Sequence, residues 1–264
     1  MALRPLRILC FGDSLTAGYT QDGLQYHPYR HALRRKLREA FPGLEVEIGE
    51  DGMDGGLTQH FSGRLRTLYR ERGTPQDSIF DWVIVLGGTN DLAINARPEA
   101  IFENLERTWA FAKMRKTKVL ALTVPELALL TQPGGPINRV NERRNELNSL
   151  ILGYTSQNFH AFDFKNAFSY AAMPPDDRRR YWDDAVHFSA AGYDRMGELV
   201  AESLVSILKA EEHAAAGPEP TTLSTVRPRK RKMFRDDDIS FDEEKGAPDE
   251  LRHGYVVVRR VDLD

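Results

Sequence analysis

Apolar residues recur along the chain with two alternating periods. Short runs rich in β-branched and aliphatic residues predict five strands, at Leu6–Phe11, Leu44–Ile48, Trp82–Leu86, Lys118–Val124 and Phe159–Phe164. Between these runs, apolar residues three and four positions apart predict helices over 29–41, 57–68, Pro98–Met114, Asn138–Tyr154 and Ala190–Glu211. Such an alternation is typical of a parallel sheet with helices packed on both faces. The pattern therefore predicts an α/β fold with three layers, α/β/α.

The periodic pattern ends near His213, where the composition changes. A proline-containing, strongly charged segment follows, with a basic run at Arg227–Lys232 and acidic runs after it. Such a segment buries too little apolar surface to offset the entropy that it would lose on ordering. The final residues have the composition of one strand. We expect a folded domain over 1–212, a disordered linker over 213–253 and a strand-like segment over 254–264.

Composition and charge indicate which kind of molecule the protein binds. The chain has 264 residues, 41% of them hydrophobic, which suffices for one sizeable core and an appendage. Its net charge of -3 provides no overall basic field that would attract nucleic acid or an anionic membrane. A small-molecule partner is therefore expected, and a nucleic acid is not.

The cysteine count and the apolar runs bear on location. Cys10 is the single cysteine, so no disulfide scaffold is expected, and its apolar surroundings predict a small buried side chain in a reducing compartment. No run resembles a signal peptide core or reaches transmembrane length. We expect a soluble cytoplasmic protein. Arg227–Lys232 resembles a nuclear import signal, but a solvated run neutralised by the following acids is the favoured interpretation.

A serine follows the first predicted strand directly, in the run Gly12-Asp13-Ser14-Leu15. In an open parallel sheet, ligands bind beyond the carboxyl ends of the strands, where the strand order reverses. Ser14 is therefore a candidate nucleophile at such a crevice. Asp13 and Ser14 equally suit a turn or a helix cap, and the tetrapeptide alone decides neither.

The next two strands also end in groups suited to binding an oxyanion. The loop Glu50–Gly56 places Gly55 as a backbone N–H donor, although ordinary turn glycines explain this loop equally well. The third strand ends in Gly-Gly-Thr-Asn-Asp, where the Asn90 side chain is a candidate donor. An Asx-turn is the alternative for Asn90, and we expect Asp91 to serve the loop itself.

A carboxylate and an imidazole occur together near the end of the domain. Asp184 and His187 are three positions apart, so one tight turn brings them into contact, and Ser189 is suited to cap the following helix. Asp183, four positions before His187, is expected to face solvent. A serine, an oriented histidine and preorganised donors are the set that acyl transfer requires.

With these motifs in order, the chain resembles the GDSL, or SGNH, hydrolase family over about its first 210 residues. The matches are Ser14 in Gly-Asp-Ser-Leu, Gly55 in Gly-Met-Asp-Gly, Asn90 in Gly-Gly-Thr-Asn-Asp, and Asp184 with His187 in Asp-Ala-Val-His. The resemblance implies a flavodoxin-like, five-stranded parallel sheet. It also implies catalytic Ser14, Asp184 and His187, with an oxyanion hole formed by Ser14, Gly55 and Asn90.

Some positions depart from the family pattern. Glu50 stands where the second block often has asparagine, and Gly56 follows the matched glycine, so Gly52 competes with Gly55 for the donor role. Thr16 replaces the second glycine of the α/β-hydrolase nucleophile elbow, which separates the two folds. No Walker loop or His-Glu-x-x-His motif occurs, so neither a cofactor nor a metal is expected.

The function that these features predict is hydrolysis of a small carboxylic ester through an acyl-enzyme. The alternative is a non-catalytic binding or regulatory module on the same fold, with a basic tail signal. Tyr19, Trp182, Met173 and the Pro125–Glu126 corner are candidates for the substrate pocket, but packing is the favoured interpretation of such scattered residues.

Overall fold

The computed structural model describes residues 4–72, 79–128 and 136–216. Seven strands occur in these ranges: β1 (Leu6–Asp13), β2 (Tyr19–Thr20), β3 (Gln25–Tyr26), β4 (Val46–Met53), β5 (Trp82–Leu86), β6 (Lys118–Leu122) and β7 (Phe159–Phe162). The α-helices there are α1 (Ser14–Ala17), α2 (Arg30–Ala40), α3 (Phe61–Arg72), α4 (Thr89–Ala93), α5 (Pro98–Met114), α6 (Pro136–Gly153), α7 (Phe164–Ala167), α8 (Pro175–Tyr181) and α9 (Ala190–Ala216).

Five of the strands form one parallel sheet in the order β4-β1-β5-β6-β7. The chain first extends the sheet from β1 to β4, and then continues on the other side of β1 with β5. This reversal of direction opens a crevice at the carboxyl ends of β1 and β5. The flavodoxin-like, three-layer α/β fold is thereby confirmed, and the long predicted helices are present.

The second strand of the sheet extends further than predicted. β4 continues through Glu50–Met53, which pair in register with Cys10–Asp13 of β1. The glycine and the acidic residues here suggested a loop, but a neighbouring strand supplies backbone hydrogen bonds that outweigh their low strand propensity. The loop expected from Glu50 therefore begins only after Met53.

The apolar core divides into two clusters, one on each face of the sheet. Ile8 and Cys10 point to the face covered by α2 and α9, and Leu9 and Phe11 point to the face covered by α3, α5 and α6. This division follows from the two-residue period of a strand, which sends successive side chains to opposite faces. Each fully buried aliphatic or aromatic side chain contributes roughly 1.5–3 kcal/mol. Cys10 is buried and unpaired, as expected.

Several short elements were not predicted. The hairpin of β2 and β3 and the helices α1, α4, α7 and α8 are too short for a hydrophobic period to reveal them. At the other end, α9 continues to Ala216, beyond the expected domain boundary at residue 212. The rest of the predicted linker and the strand-like segment over 254–264 lie outside the described residues. None of the helices in the described ranges combines the length and apolar character needed to cross a membrane.

Candidate active site

Ser14 lies where β1 turns into α1. Asp13 caps this short helix, since its Oδ1 accepts a hydrogen bond of 3.0 Å from the Leu15 N–H. At the other end, the Gly18 N–H donates to the Ser14 carbonyl over 2.9 Å. The turn and cap that the tetrapeptide allowed are therefore both formed. They leave Ser14 only 5% exposed, at the carboxyl edge of the sheet.

Two glycines let this turn lie close to its neighbours. A Cβ at Gly12 would lie 2.2 Å from the Leu86 carbonyl oxygen of β5, so only glycine fits there. Gly18 has φ of +83° and ends α1 in the left-handed conformation that glycine adopts without strain. Both ends of the segment that carries Ser14 are thus fixed by residues without side chains.

A continuous chain of hydrogen bonds runs from Ser14 to Asp184. The Ser14 Oγ lies 3.0 Å from Nε2 of His187, and His187 Nδ1 lies 2.8 Å from Oδ2 of Asp184. Because the ionised carboxylate only accepts, Nδ1 carries the proton and Nε2 is left as an acceptor toward the serine hydroxyl. The structure therefore brings together the three residues that the sequence named as nucleophile, base and orienting acid.

The loop around Asp184 favours the ionised carboxylate. Burial raises the pKa of Asp184, but hydrogen bonds from the backbone and ring of His187 and from the Val186 N–H outweigh it, and the pKa falls below its ordinary value. Both backbone N–H groups donate to Oδ1 over 2.6 Å. The negative charge is thus held beside the imidazole.

Contacts from the β2–β3 hairpin and α9 fix the histidine loop. The ring of Tyr19 packs against His187, with centroids 4.4 Å apart. Asp183 is exposed, as expected. Its carboxylate also binds the protein, because Oδ2 accepts a hydrogen bond of 2.5 Å from the Gln21 N–H. Ser189 caps α9 as predicted, accepting from the Gly192 N–H over 3.2 Å. The hairpin, which the sequence did not predict, therefore holds the loop.

The two candidate oxyanion donors lie on adjoining loops. Gly55 follows β4 and has φ of +67°, with open space where a Cβ would be, so its backbone conformation rather than crowding favours glycine. Asn90 lies in the first turn of α4, and its Nδ2 donates to the Gly56 carbonyl over 3.1 Å. At Gly52, crowding rather than backbone conformation requires glycine, because a Cβ there would lie 2.2 Å from the backbone nitrogen of Ala17. Asn90 therefore contacts the residue that directly follows Gly55.

Asp91 connects two loops, whereas we expected it to serve its own. Its carboxylate accepts hydrogen bonds from the Thr58 backbone N–H over 3.1 and 3.2 Å and from the Thr58 hydroxyl over 2.6 Å. Thr58 belongs to a short 3₁₀ turn, Thr58–His60, that follows the Gly55 loop. Asp91 therefore fixes α4, which carries Asn90, against the turn that follows the Gly55 loop.

Arg64 is a residue of the site that sequence reasoning missed. Its guanidinium donates to the Gly12 carbonyl and to the Asp51 carbonyl, each over 2.9 Å, and also binds the Asp51 carboxylate. It joins the carboxyl ends of β1 and β4 at Gly12, two residues before Ser14 in sequence. No sequence signal distinguished it, because an arginine on a surface helix normally faces water.

Asp13 is buried beside the serine. Burial, with a smaller effect of the nearby Asp91 charge, outweighs the hydrogen bond from the Leu15 N–H and the charge of Arg64 and raises the pKa of the Asp13 carboxyl to about 7. Its Oδ2 has no hydrogen-bond partner among the residues that the structure describes. An ionisable group next to the candidate nucleophile is therefore destabilised in its charged form.

The candidate pocket residues divide in role. Trp182 is buried against Phe168, with stacked rings 4.8 Å apart, and Met173 packs on the same cluster, so both serve the core. Tyr19 contacts His187, and Glu126 accepts hydrogen bonds from residues of the segment after α7. In the described part of the chain, no three His, Cys, Asp or Glu side chains converge as a group that would hold a metal ion.

A doubly wound parallel sheet with a serine, a histidine and an aspartate hydrogen-bonded at its carboxyl edge defines a class of α/β protein equipped for acyl transfer. Within that class, residues 10–195 match the model of the GDSL-like lipase/acylhydrolase family, and the chain belongs to this family. Family membership supports carboxylic ester hydrolysis as the general class of activity. A search of curated proteins found no match.

Solved structures share the fold at low sequence identity. A lipase/acylhydrolase from Enterococcus faecalis is 23% identical, with a TM-score of 0.58, over 76% of this chain and 96% of that one. A GDSL-family lipolytic protein from Veillonella parvula is 19% identical, with a TM-score of 0.55, over 76% and 98% of the two chains. A mutant acetyl-xylooligosaccharide esterase from Geobacillus is 17% identical, with a TM-score of 0.56, over 78% and 95%. At these identities the similarity establishes the fold alone.

Proposed function

We propose that this chain is a serine esterase that cleaves a small carboxylic ester through an acyl-enzyme at Ser14. The observation that carries the proposal is the hydrogen-bond chain, 3.0 Å from Ser14 Oγ to His187 Nε2 and 2.8 Å from His187 Nδ1 to Asp184. A serine hydroxyl is a weak nucleophile by itself and is activated by an adjacent base. An accepting Nε2 at this distance is such a base.

In the proposed acylation step, Ser14 Oγ attacks the ester carbonyl carbon while its proton passes to His187 Nε2. Asp184 stabilises the imidazolium that forms and keeps the ring oriented. The tetrahedral intermediate collapses, the bond to the alcohol oxygen breaks, and His187 returns the proton to the leaving alcohol. Water then attacks the acyl-enzyme by the same path, releasing the carboxylic acid and the free Ser14 hydroxyl.

We assign the oxyanion to the backbone N–H groups of Ser14 and Gly55 and to the side-chain Nδ2 of Asn90. In the free enzyme this Nδ2 donates to the Gly56 carbonyl, which fixes the amide close to the Gly55 loop. Preorganised donors of this kind stabilise the charge that develops on the carbonyl oxygen without reorganising during the reaction.

Replacement of the nucleophile tests the proposal. We expect wild-type protein to hydrolyse p-nitrophenyl acetate and Ser14→Ala to lose turnover by at least a thousandfold, since no other group supplies the attacking oxygen. Ser149→Ala, an exposed serine on α6, is the matched control and keeps wild-type activity. A fluorophosphonate probe labels the peptide that contains Ser14.

Labelling of another serine in an active sample, or undiminished hydrolysis by Ser14→Ala, contradicts the assignment. Folded protein that hydrolyses no ester in a p-nitrophenyl series from acetate to palmitate favours the alternative, a non-catalytic binding module on the same fold.

We also propose that the enzyme works inside the cell, in the cytoplasm. The support is chemical: the single cysteine, Cys10, is buried and free, so the fold does not depend on an oxidising compartment. Imaging of a tagged chain tests this location. Nuclear accumulation that disappears on deleting the residues after Gly217 instead assigns an import role to Arg227–Lys232.

A further inference from the structure

One buried side chain of α6 is unused by the proposed mechanism. Residues Arg144, Leu147, Asn148 and Ile151 form the inward face of this helix, at spacings of three and four. Arg144 is only 2% exposed, and among the described residues it is the only lysine or arginine that is buried. Arginine is rarely found in such a position unless its charge is paired.

Within the described structure, the Arg144 guanidinium has almost no protein partner. Its Nη1 donates to the side-chain oxygen of Asn141, a neutral acceptor, and its buried Nε has no hydrogen-bond partner. Burial lowers the pKa of Arg144 to about 10, and the Glu126 charge partly opposes this, so the group stays cationic at neutral pH. Among residues 4–72, 79–128 and 136–216, the buried cation therefore has no ion-paired counter-ion.

Glu126 is the acid whose charge acts on Arg144, but its carboxylate is engaged elsewhere. Oε2 accepts hydrogen bonds from the Ser169 hydroxyl over 3.0 Å and from the Ala171 N–H over 2.9 Å. Oε1 lies 3.8 Å from Lys165 Nζ. Leaving a buried charge uncompensated is costly, and such a cost is characteristic of binding and catalytic sites.

The packing of α6 places Arg144 toward the catalytic edge of the sheet. Asn148 binds both the N–H and the carbonyl of Val124, two residues after β6, over 2.8 and 2.9 Å. A Cβ on Gly88, after β5, would lie 2.9 Å from Leu147 Cδ2. Because α6 runs from the carboxyl edge of the sheet to its amino edge, Arg144 lies about one turn closer to the carboxyl edge than these contacts.

The segment after β6 connects this region to the histidine loop. The Ala128 N–H donates over 2.8 Å to the carbonyl of Ala185, which lies between Asp184 and His187 in sequence. Asn90, the candidate oxyanion donor, follows Gly88 by two residues. The segment after β6 thus reaches the histidine loop, and Leu147, one turn along α6 from Arg144, packs against the loop that leads to Asn90.

We propose that Arg144 binds a carboxylate of the substrate, so that the ester cleaved at Ser14 carries a second, anionic group. The inference rests on the proposed esterase function and gives its substrate class. A guanidinium presents a planar fork of donors that matches a carboxylate, and the unpartnered Nε belongs to this fork. The ligand supplies the counter-ion that the described part of the interior does not provide.

The test compares charged and neutral esters that release the same product. For an acyl-side carboxylate, the pair is mono-p-nitrophenyl adipate and its methyl ester. For an alcohol-side carboxylate, the pair is para-acetoxybenzoate and its methyl ester. We expect wild-type protein to favour the anionic member of one pair in kcat/KM, and the pair that shows the preference identifies the side of the ester.

Arg144→Met removes the charge and keeps a chain of similar shape. The preference for the anionic ester should fall about ten- to a hundredfold, mainly through KM, because a hydrogen bond between charged groups is lost. Hydrolysis of the neutral ester and the melting temperature should not decrease. Arg143→Met, on the same helix and bonded to the Asn95 carbonyl over 3.2 Å, is the matched control and keeps the preference. Arg144→Lys keeps the positive charge but lacks the planar set of donors, and it should retain part of the preference for the anionic ester.

Several outcomes overturn the proposal: wild-type preference for the neutral member of both pairs, survival of the anionic preference in Arg144→Met, or equal loss on both members with a lower melting temperature. If Arg144→Met does not fold, competitive inhibition of wild-type protein by adipate or benzoate supports the site, and its absence overturns it. Ser14→Ala separates the two proposals. Stabilisation of this variant by the same carboxylates supports the anion site even if the esterase assignment fails.

Discussion

At the scale of single residues, the site depends on short-range hydrogen bonds that fix orientation. His187 receives its orientation from Asp184, and Asp184 is itself held by the backbone of the same turn. The Ser14 hydroxyl lies between this imidazole and the start of α1. Each group is therefore positioned before a substrate binds, which is the condition for electrostatic preorganisation.

Asn90 provides the residue-scale prediction. Asn90→Ala should keep the fold and lower kcat on p-nitrophenyl acetate by about a hundred- to a thousandfold, because one oxyanion donor is lost. Steady-state kinetics and circular dichroism measure the two effects. Asn95→Ala, in the loop after the same helix, is the control and should change kcat little. A near wild-type kcat for Asn90→Ala removes this side chain from the oxyanion hole.

At the scale of elements, the carboxyl ends of β1 and β4 are joined by a side chain rather than by the sheet alone. Arg64 reaches from α3 to the Gly12 carbonyl and to Asp51, and its guanidinium lies 4.8 Å from the centre of the Phe11 ring. The side chain is 13% exposed, so its contact with Asp51 is largely shielded from water. The serine turn thus depends on a helix that carries none of the sequence motifs.

Arg64→Met should destabilise the protein and impair the site. Loss of a shielded ion pair and of two carbonyl contacts should lower the free energy of unfolding by about 2–5 kcal/mol. At a temperature where the variant is folded, kcat should still fall, because Gly12, two residues before Ser14, is released. Denaturant unfolding and turnover provide the measurements.

Arg66→Met, on the same helix, is the control for this prediction. Its guanidinium packs over the Phe111 ring at 4.7 Å, and its loss should cost no more than about 1 kcal/mol. Wild-type turnover by folded Arg64→Met would show that Arg64 serves stability alone.

At the scale of the whole molecule, carboxyl groups with shifted pKa values make stability depend on pH. Asp13 has a pKa raised to about 7 by burial, so the folded state holds its proton more tightly than the unfolded state does. The free energy of unfolding should therefore fall as pH rises from about 4 to about 7, by about 4 kcal/mol for this group. Asp184 has a lowered pKa, so it stabilises the folded state at pH values above the ordinary pKa of an aspartate. This stabilisation is lost as the pH falls through the lowered pKa.

Asp13→Asn removes the group without changing its shape. In urea unfolding at pH 4.5 and pH 8, the variant should lose most of the decline seen in wild-type protein and should be the more stable of the two at pH 8. Asp22→Asn, an exposed position, should reproduce the wild-type profile. An unchanged decline in Asp13→Asn would mean that other groups cause it.

The sequence by itself determined the layers of the fold and named the candidate residues of the site. Strand and helix periods depend on local alternation of apolar side chains, which is visible in the chain, and Asp184 and His187 are close because three residues make one turn. The roles of Ser14, Asp184, His187, Gly55 and Asn90 remain predictions, although the fold brings their segments to one edge.

Only the tertiary structure decided the contacts between distant segments. Strand pairing extended β4 through its acidic loop, the Gln21 N–H bound Asp183, and Arg64 turned inward to Gly12. None of these follows from local propensity, because each depends on a partner far away in sequence. The same holds for Arg144, since an arginine in a helical stripe is ordinary until packing buries it, here with no counter-ion among the described residues.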